Sequence, residues 1–303
     1  MNTTSSSEST AHGTALVLGG GGSAGNAWLI GVIAGLLDGG LDVTDADLII
    51  GTSAGATAAA QITGASASSL LADILSSSGP THPAPARPTA SALAPVDEQL
   101  RRGDDIIAAA AGLADMLRRM GAAALEADAE TDGSMTAQWR STVAARLPQT
   151  DWPLQEIRLT AVDARCGEPV VFDRHSGVAL VDAVAASTSG GRLPYRIGDE
   201  RYIDGGYRRS SENADLAAGY ERVLVLSPLG GRTRYPLSWG MHLAVQTEEL
   251  RAGGGRVEVM LPDEDSLEAF GGNMMNPATR VPAARAGHRQ GLAAAHGLVA
   301  FWR

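Results

Sequence analysis

The 303-residue chain contains no lysine; all 24 of its basic side chains are arginine. It has one cysteine, Cys166, and aromatic residues make up only 4%. A single cysteine excludes an intrachain disulfide framework, and without neighbouring ligand residues it does not suggest a metal site. A reducing or indifferent compartment fits best, and the expected location is cytoplasmic. Positive charge is scarce: 34 acidic residues outweigh the arginines, for a net charge of -10. That argues against a nucleic-acid partner and against polybasic docking on anionic membranes. It leaves room for a small ester or a lipid, met through transient contact with a membrane surface. The lack of lysine, beside abundant alanine and glycine, reads as a GC-rich coding bias.

An unbroken apolar run long enough to cross a bilayer is also missing. Residues 15–37, ALVLGGGGSAGNAWLIGVIAGLL, are uncharged and of sufficient length. Four consecutive glycines and Asn26 interrupt them, so a buried strand, a glycine turn and a buried helix fit better. The opening MNTTSSSESTAHG is polar without a basic cluster. It reads as a disordered tail over residues 1–14, not a signal peptide.

The hydrophobic fraction of 44% suits a globular chain with a sizeable core. ALVL (15–18) reads as a buried strand, GGGGSAG (19–25) as a loop and NAWLIGVIAGLL (26–37) as a buried helix. LII (48–50) is a second strand, followed by GTSAG and a helix-forming stretch. Two strand–turn–helix units in succession predict an α/β fold with parallel strands. Residues 64–150 differ: a loop containing GPTHPAPARP precedes a mainly helical block that reads as an insertion. Within it Ile106, Ala110, Leu113, Leu117 and Met120 form one apolar stripe. The stripe suits a helix packed on the core, or a cap lining an acyl-chain groove. Strands return at 156–164, 168–174, 222–228 and 256–262, with helices at 180–187 and 282–302. RYIDGGYR (201–208) reads as a hairpin-like turn. The whole of 15–303 is expected to form one domain.

Gly51-Thr52-Ser53-Ala54-Gly55 matches G-x-S-x-G. A serine on a sharp strand-to-helix turn holds its hydroxyl clear of the sheet in a strained conformation. The flanking glycines make room for neighbouring backbone. The helix that follows directs N–H groups and positive dipole at developing negative charge. The pentapeptide alone is a weak signal; its place after a buried strand and before a helix strengthens it.

Gly20-x-Gly22-x-x-Gly25 also joins a strand to a helix. A dinucleotide fingerprint, and with it an oxidoreductase, would need an acidic residue at the end of the second strand. That strand ends in Gly51-Thr52, and Asp42, Asp45 and Asp47 precede it. Two other readings are an oxyanion hole built from the amides of Gly21, Gly22 and Ser23, and a plain tight turn.

A serine nucleophile needs a proton acceptor, commonly histidine. The candidates are His12, His82, His175, His242, His288 and His296, and none stands in a telling context. Asp204-Gly205-Gly206 offers an alternative. D-G is an ordinary turn signal, but this one lies between an apolar YI and a return strand. An exposed carboxylate is a poor base for a hydroxyl; burial would raise its pKa, and direct hydrogen-bond reach would let proton transfer accompany attack.

LVLGGGGSAG (16–25), GTSAGA (51–56) and YIDGGYRRSSENADLAAG (202–219), in this order, resemble the patatin-like phospholipases. The resemblance covers roughly residues 15–230. It implies a three-layer α/β/α sandwich with a mainly parallel central sheet. It implies hydrolysis of lipid carboxylic esters by a Ser53–Asp204 dyad, with Gly21, Gly22 and Ser23 as oxyanion donors, and neither metal nor organic cofactor. One position departs from the family: an Arg or Lys usually precedes the last glycine of the loop, and here Ala24 stands there. The change raises a second expectation, a weakly active or inactive lipid-binding relative, unless a cation such as Arg192 or Arg208 takes that place in space.

Overall fold

The structure, a computed structural model, describes residues 13–76, 96–190 and 193–303, with only the backbone of 96, 97 and 99. Residues 1–12 of the tail expected over 1–14, with His12, His82 and Arg192, therefore lie outside the described residues, while Thr14 already belongs to the first strand. The strands are β1 (Thr14–Leu18), β2 (Leu48–Gly51), β3 (Glu156–Asp163), β4 (Pro169–Phe172), β5 (Tyr195–Ile197), β6 (Glu200–Asp204), β7 (Arg222–Leu226) and β8 (Arg256–Met260). The helices are α1 (Gly22–Asp38), α2 (Ala54–Ile62), α3 (Ala67–Ser76), α4 (Val96–Ala109), α5 (Leu113–Ala129), α6 (Ser134–Ala144), α7 (Leu180–Ser187), α8 (Leu243–Ala252), α9 (Glu264–Phe270) and α10 (Arg280–Trp302).

The strands form one sheet in the order β5-β6-β3-β2-β1-β7-β8, with β4 paired to β3. β1 runs parallel to β2 and β7, β2 to β3, and β7 to β8; the pairs β3–β4, β3–β6 and β5–β6 are antiparallel. The inner strands are apolar on both faces because helices cover both. Leu16, Leu18, Ile49 and Leu224 join α1, α2, α7 and α10 in one core. Ala15, Val17, Leu48, Ile50, Val223 and Val225 meet Leu243 and Leu250 of α8 in a second. The result is the expected three-layer sandwich around a mostly parallel sheet.

Small residues bring α1 and α10 together. A Cβ on Gly31 would strike the Ala284 carbonyl, one on Gly35 the His288 carbonyl, and one on Gly291 the Val32 carbonyl. Backbones in such contact leave little freedom to slide, so α10 fixes the position of α1. Across this layer Trp28 donates its Nε1–H to Ser266 Oγ and Gln290 Oε1, both at 3.1 Å.

Three local expectations are corrected. α1 begins at Gly22, so the end of the glycine loop is already the first helical turn. The apolar stripe at 106–120 is divided between α4 and α5, because Ala110 to Gly112 break the helix. Both parts still point one way: Ile107, Leu117 and Met120 pack with Ile106, Ala110, Leu113, Tyr207, Tyr235 and Trp239. The stripe is core, covering the flank that carries β6. Finally, the hairpin turn is at Gly198–Asp199, between β5 and β6, while Gly205–Tyr207 is a single 3-10 turn.

Candidate active site

Adjacent parallel strands deliver the first two motifs to one end of the sheet. β1 ends at Leu18 and opens into the glycine loop, while β2 ends at Gly51 and opens into the serine turn. Gly51 pairs with Leu159 of β3, and Asp204 of β6 pairs with Ala161, two residues further along the same strand. Ser53 lies the same two residues beyond Gly51. The sheet register thus brings serine and aspartate to one level.

Ser53 caps α2 with φ 53° and ψ -114°. Positive φ is strained for a residue with a Cβ, and the strain persists only where surroundings over-determine it. Close contacts on both sides do so here. A side chain at Gly55 would collide with the Leu18 carbonyl oxygen, and a Cβ on Gly51 would sit 2.6 Å from Ala56 Cα. The Ser53 N–H donates to the buried Ser187 hydroxyl at 3.0 Å, and Thr52 N–H donates to Leu18 O at 3.1 Å.

The Ser53 hydroxyl donates to Asp204 Oδ2 at 2.8 Å. The other carboxylate oxygen, Oδ1, accepts the Gly206 N–H at 2.8 Å. Asp204 is 9% exposed. Burial pushes its pKa up to about 6, against the opposing pull of the Gly206 and Ser53 hydrogen bonds. Gly205 is required by packing, since a Cβ there would run into Thr160. No histidine among the described residues bonds to Ser53; His288 instead pairs with Asp38 at 2.8 Å.

The glycine loop lies against the serine, with the Cβ position of Gly20 3.4 Å from Ser53 Cβ. Gly20 N–H is committed to Ser211 O at 2.8 Å, Ala24 N–H to Met274 O at 2.9 Å, and Gly25 N–H to Gly21 O at 2.9 Å. The N–H groups of Gly21, Gly22 and Ser23 have no such partner among the described residues. Pro228 packs on Gly21 and Gly25, and Met275 on Gly22, which has φ 62°. The dinucleotide reading fails on position: Asp47 accepts from Thr14 N–H at 2.7 Å, at the opposite end of β1 from the loop.

Ala24 is fully buried. Arg208 does not stand in for a cation there, because Asp215 holds it at 2.9 Å. Arg280, at the start of α10, comes to this turn instead. Its Nη1 donates to Ser23 O at 3.2 Å and to Asn26 Oδ1 at 3.1 Å. Burial first, and the nearby Arg146 second, push its pKa down to about 10.

The residues that hold the aspartate turn in place were not legible in the motifs. Asn213 Nδ2 contacts Gly205 O at 2.9 Å, Thr52 Oγ1 at 3.0 Å and Thr160 Oγ1 at 3.3 Å. Asp128 of α5, only 10% exposed at its side chain, pairs with Arg196 Nη2 at 2.8 Å and Arg201 Nε at 2.9 Å. That links the helical block to the β5–β6 hairpin. In sequence the one cue was a cluster of small polar residues after D-G-G.

A serine on a strained strand-to-helix turn, beside a glycine loop on an α/β/α sheet, is the arrangement of an acyl-transfer hydrolase. Residues 16–218 match the family described as Patatin-like phospholipase, and the chain belongs to that family, whose members are lipid acyl hydrolases. Among solved structures the chain is similar to VipD from Legionella pneumophila, with a TM-score of 0.43 and 13% identity over 95% of this chain and 67% of that one. No curated protein matches the chain in sequence. No helix among the described residues is long and apolar enough to cross a membrane, and no cluster of three metal-ligating side chains occurs among them.

Proposed function

We propose that the protein hydrolyses carboxylic esters of lipids through a Ser53–Asp204 dyad. The observation that carries this reading is the 2.8 Å hydrogen bond from the Ser53 hydroxyl to a buried carboxylate. Burial makes Asp204 a stronger base than an exposed aspartate, and direct contact lets the proton move as the bond to carbon forms. Ser53 Oγ attacks the ester carbonyl and its proton passes to Asp204 Oδ2. The carbonyl π electrons move to oxygen, and the oxyanion takes hydrogen bonds from Gly21, Gly22 and Ser23. Each such donor contributes roughly 3 kcal/mol to lowering the barrier. The tetrahedral intermediate collapses, and the leaving alkoxide takes the proton from Asp204. Water then gives a proton to Asp204 and attacks the acyl-enzyme. Collapse returns the proton to Ser53 and releases the fatty acid.

Gly20, Gly25, Gly51, Gly55, Gly205 and Gly206 shape the backbone around these atoms without taking part in bond changes. The substrate is a phospholipid or other fatty-acyl ester, met by a cytoplasmic enzyme that rests transiently on a membrane surface; the reaction needs neither metal nor organic cofactor. A turnover screen over esters of graded chain length, with Ser53→Ala as blank, tests the reading. Hydrolysis by the wild type alone is expected. Equal rates for both proteins would refute it.

A further inference from the structure

Residues Ser210 to Asn213, a few positions beyond D-G-G in the 202–219 stretch, touch the glycine loop, the serine turn and the aspartate turn. The Ser211 carbonyl accepts the Gly20 N–H of the glycine loop at 2.8 Å. Asn213 reaches the other two. Its Nδ2 contacts Thr52, which immediately precedes Ser53, and Gly205, which immediately follows Asp204, at 3.0 and 2.9 Å. Thr160 lies between them, its hydroxyl 2.9 Å from that of Thr52 and 3.3 Å from Asn213 Nδ2.

Several features argue that this geometry is enforced. Asn213 is fully buried and has φ 52°, a conformation that asparagine tolerates better than most residues with a side chain. Its neighbour Glu212 is also fully buried and has no cationic partner among the described residues. A buried carboxylate is costly unless its lone pairs are filled. Ser210, Ser211 and Ser227 fill them with hydroxyls at 2.8, 2.6 and 2.7 Å. Ser227 follows β7, so the Glu212 cage ties this segment to the central sheet. Asn213 therefore hangs from a fixed support.

We propose that Asn213 is the positioning residue of the dyad: its amide fixes the residue before the nucleophile to the residue after the base, and so sets the distance from Ser53 Oγ to Asp204. Asn213 touches no reacting atom. The inference rests on the dyad reading above. A displacement of about 1 Å in a catalytic group can cost about 10²-fold in rate, which sets the scale expected here.

The test uses the full chain with Asn213→Gly, which keeps access to positive φ and removes the side chain with its amide, and Thr52→Val, which removes one acceptor at nearly constant volume. For Asn213→Gly, kcat on a short-chain ester should fall about 10²-fold with KM within about twofold. The acid limb of kcat should also move to higher pH, because a loosened Ser53 hydroxyl no longer favours ionised Asp204. Thr52→Val should change in the same directions by less, and it judges the inference alone if the glycine variant does not fold. A crystal structure of each variant provides a readout independent of turnover: the Ser53 Oγ–Asp204 Oδ2 separation should exceed hydrogen-bond range. A folded variant that keeps wild-type kcat, acid limb and separation would overturn the inference. An inactive wild type would refute the dyad reading, and the crystallographic separation would still decide the role of Asn213.

Discussion

The two halves of the proposed dyad are built differently. The serine half is local: β2, the turn and α2 run within residues 48–62, and close backbone contacts at Gly51 and Gly55 shape it. The aspartate half is assembled across the chain. Asp204 arrives on an antiparallel strand, and Thr160 and Asn213 hold the turn that follows it. The serine half stores its constraint mainly in backbone sterics, and the aspartate half, beyond the close contact of Gly205 with Thr160, in buried hydrogen bonds. Steric constraints fail abruptly when one atom is added. Hydrogen-bonded constraints loosen by degrees when one is removed.

The largest effects test whether both halves are needed. Ser53→Ala and Asp204→Asn should each lower kcat on an ester by more than about 10³-fold while leaving a folded protein. A single folded but dead histidine variant would break the comparison by moving the base elsewhere. Next in size is Gly55→Ala. Its Cβ meets backbone, the Leu18 carbonyl, which cannot swing aside. Loss of more than about 3 kcal/mol of stability, read by urea unfolding, is expected.

Asp204 ties activity and stability to pH in opposite senses. Its folded pKa of about 6 lies above the ordinary value of 3.8. As the proposed base, Asp204 works ionised, so kcat/KM should fall below about pH 6. Between those two values the folded state holds a proton that the unfolded state has lost. Asp204's stabilising contribution is therefore fully present below the lower value and is lost as pH rises through the upper one. The loss is on the order of 2–3 kcal/mol. Asp204→Asn should accordingly raise the melting temperature at pH 7 while abolishing turnover, and the gain should shrink towards pH 4. A lower melting temperature at pH 7 would show that the aspartate half is not strained by its buried charge.

The smallest expected effect is at Ser187. Its hydroxyl is the partner of the Ser53 N–H. Ser187→Ala should cost about 1 kcal/mol of stability and only a few-fold in kcat. A collapse of activity would mean that the serine half also depends on hydrogen bonds, and the contrast between halves would weaken.

This difference also explains what was readable in advance. The fold class and the parallel strands were legible because buried parallel strands are continuous apolar runs, as in ALVL and RVLVL, whereas the short antiparallel β5 and β6 were not. The serine turn was legible because its determinants are neighbours in sequence. Asp204 was legible only through D-G-G and its order after the other motifs. Asn213, Thr160 and Ser187 were not, because each acts on a residue far from it in the chain. The start of α1 was missed because glycines usually disfavour helices, yet Met274, Met275 and Pro228 pack closely on this turn. Arg280 was missed because its partners, Ser23 and Asn26, lie at the other end of the chain.

The central claim is that Ser53 is a nucleophile whose proton goes directly to Asp204. Fluorophosphonate labelling followed by intact-mass and peptide mapping tests it most directly. The wild type should gain one adduct, on Ser53, at a rate that rises through about pH 6. Ser53→Ala should gain none, and Asp204→Asn should label far more slowly without that pH dependence. A folded wild type that stays unlabelled, or Asp204→Asn labelling at the wild-type rate, would contradict the account.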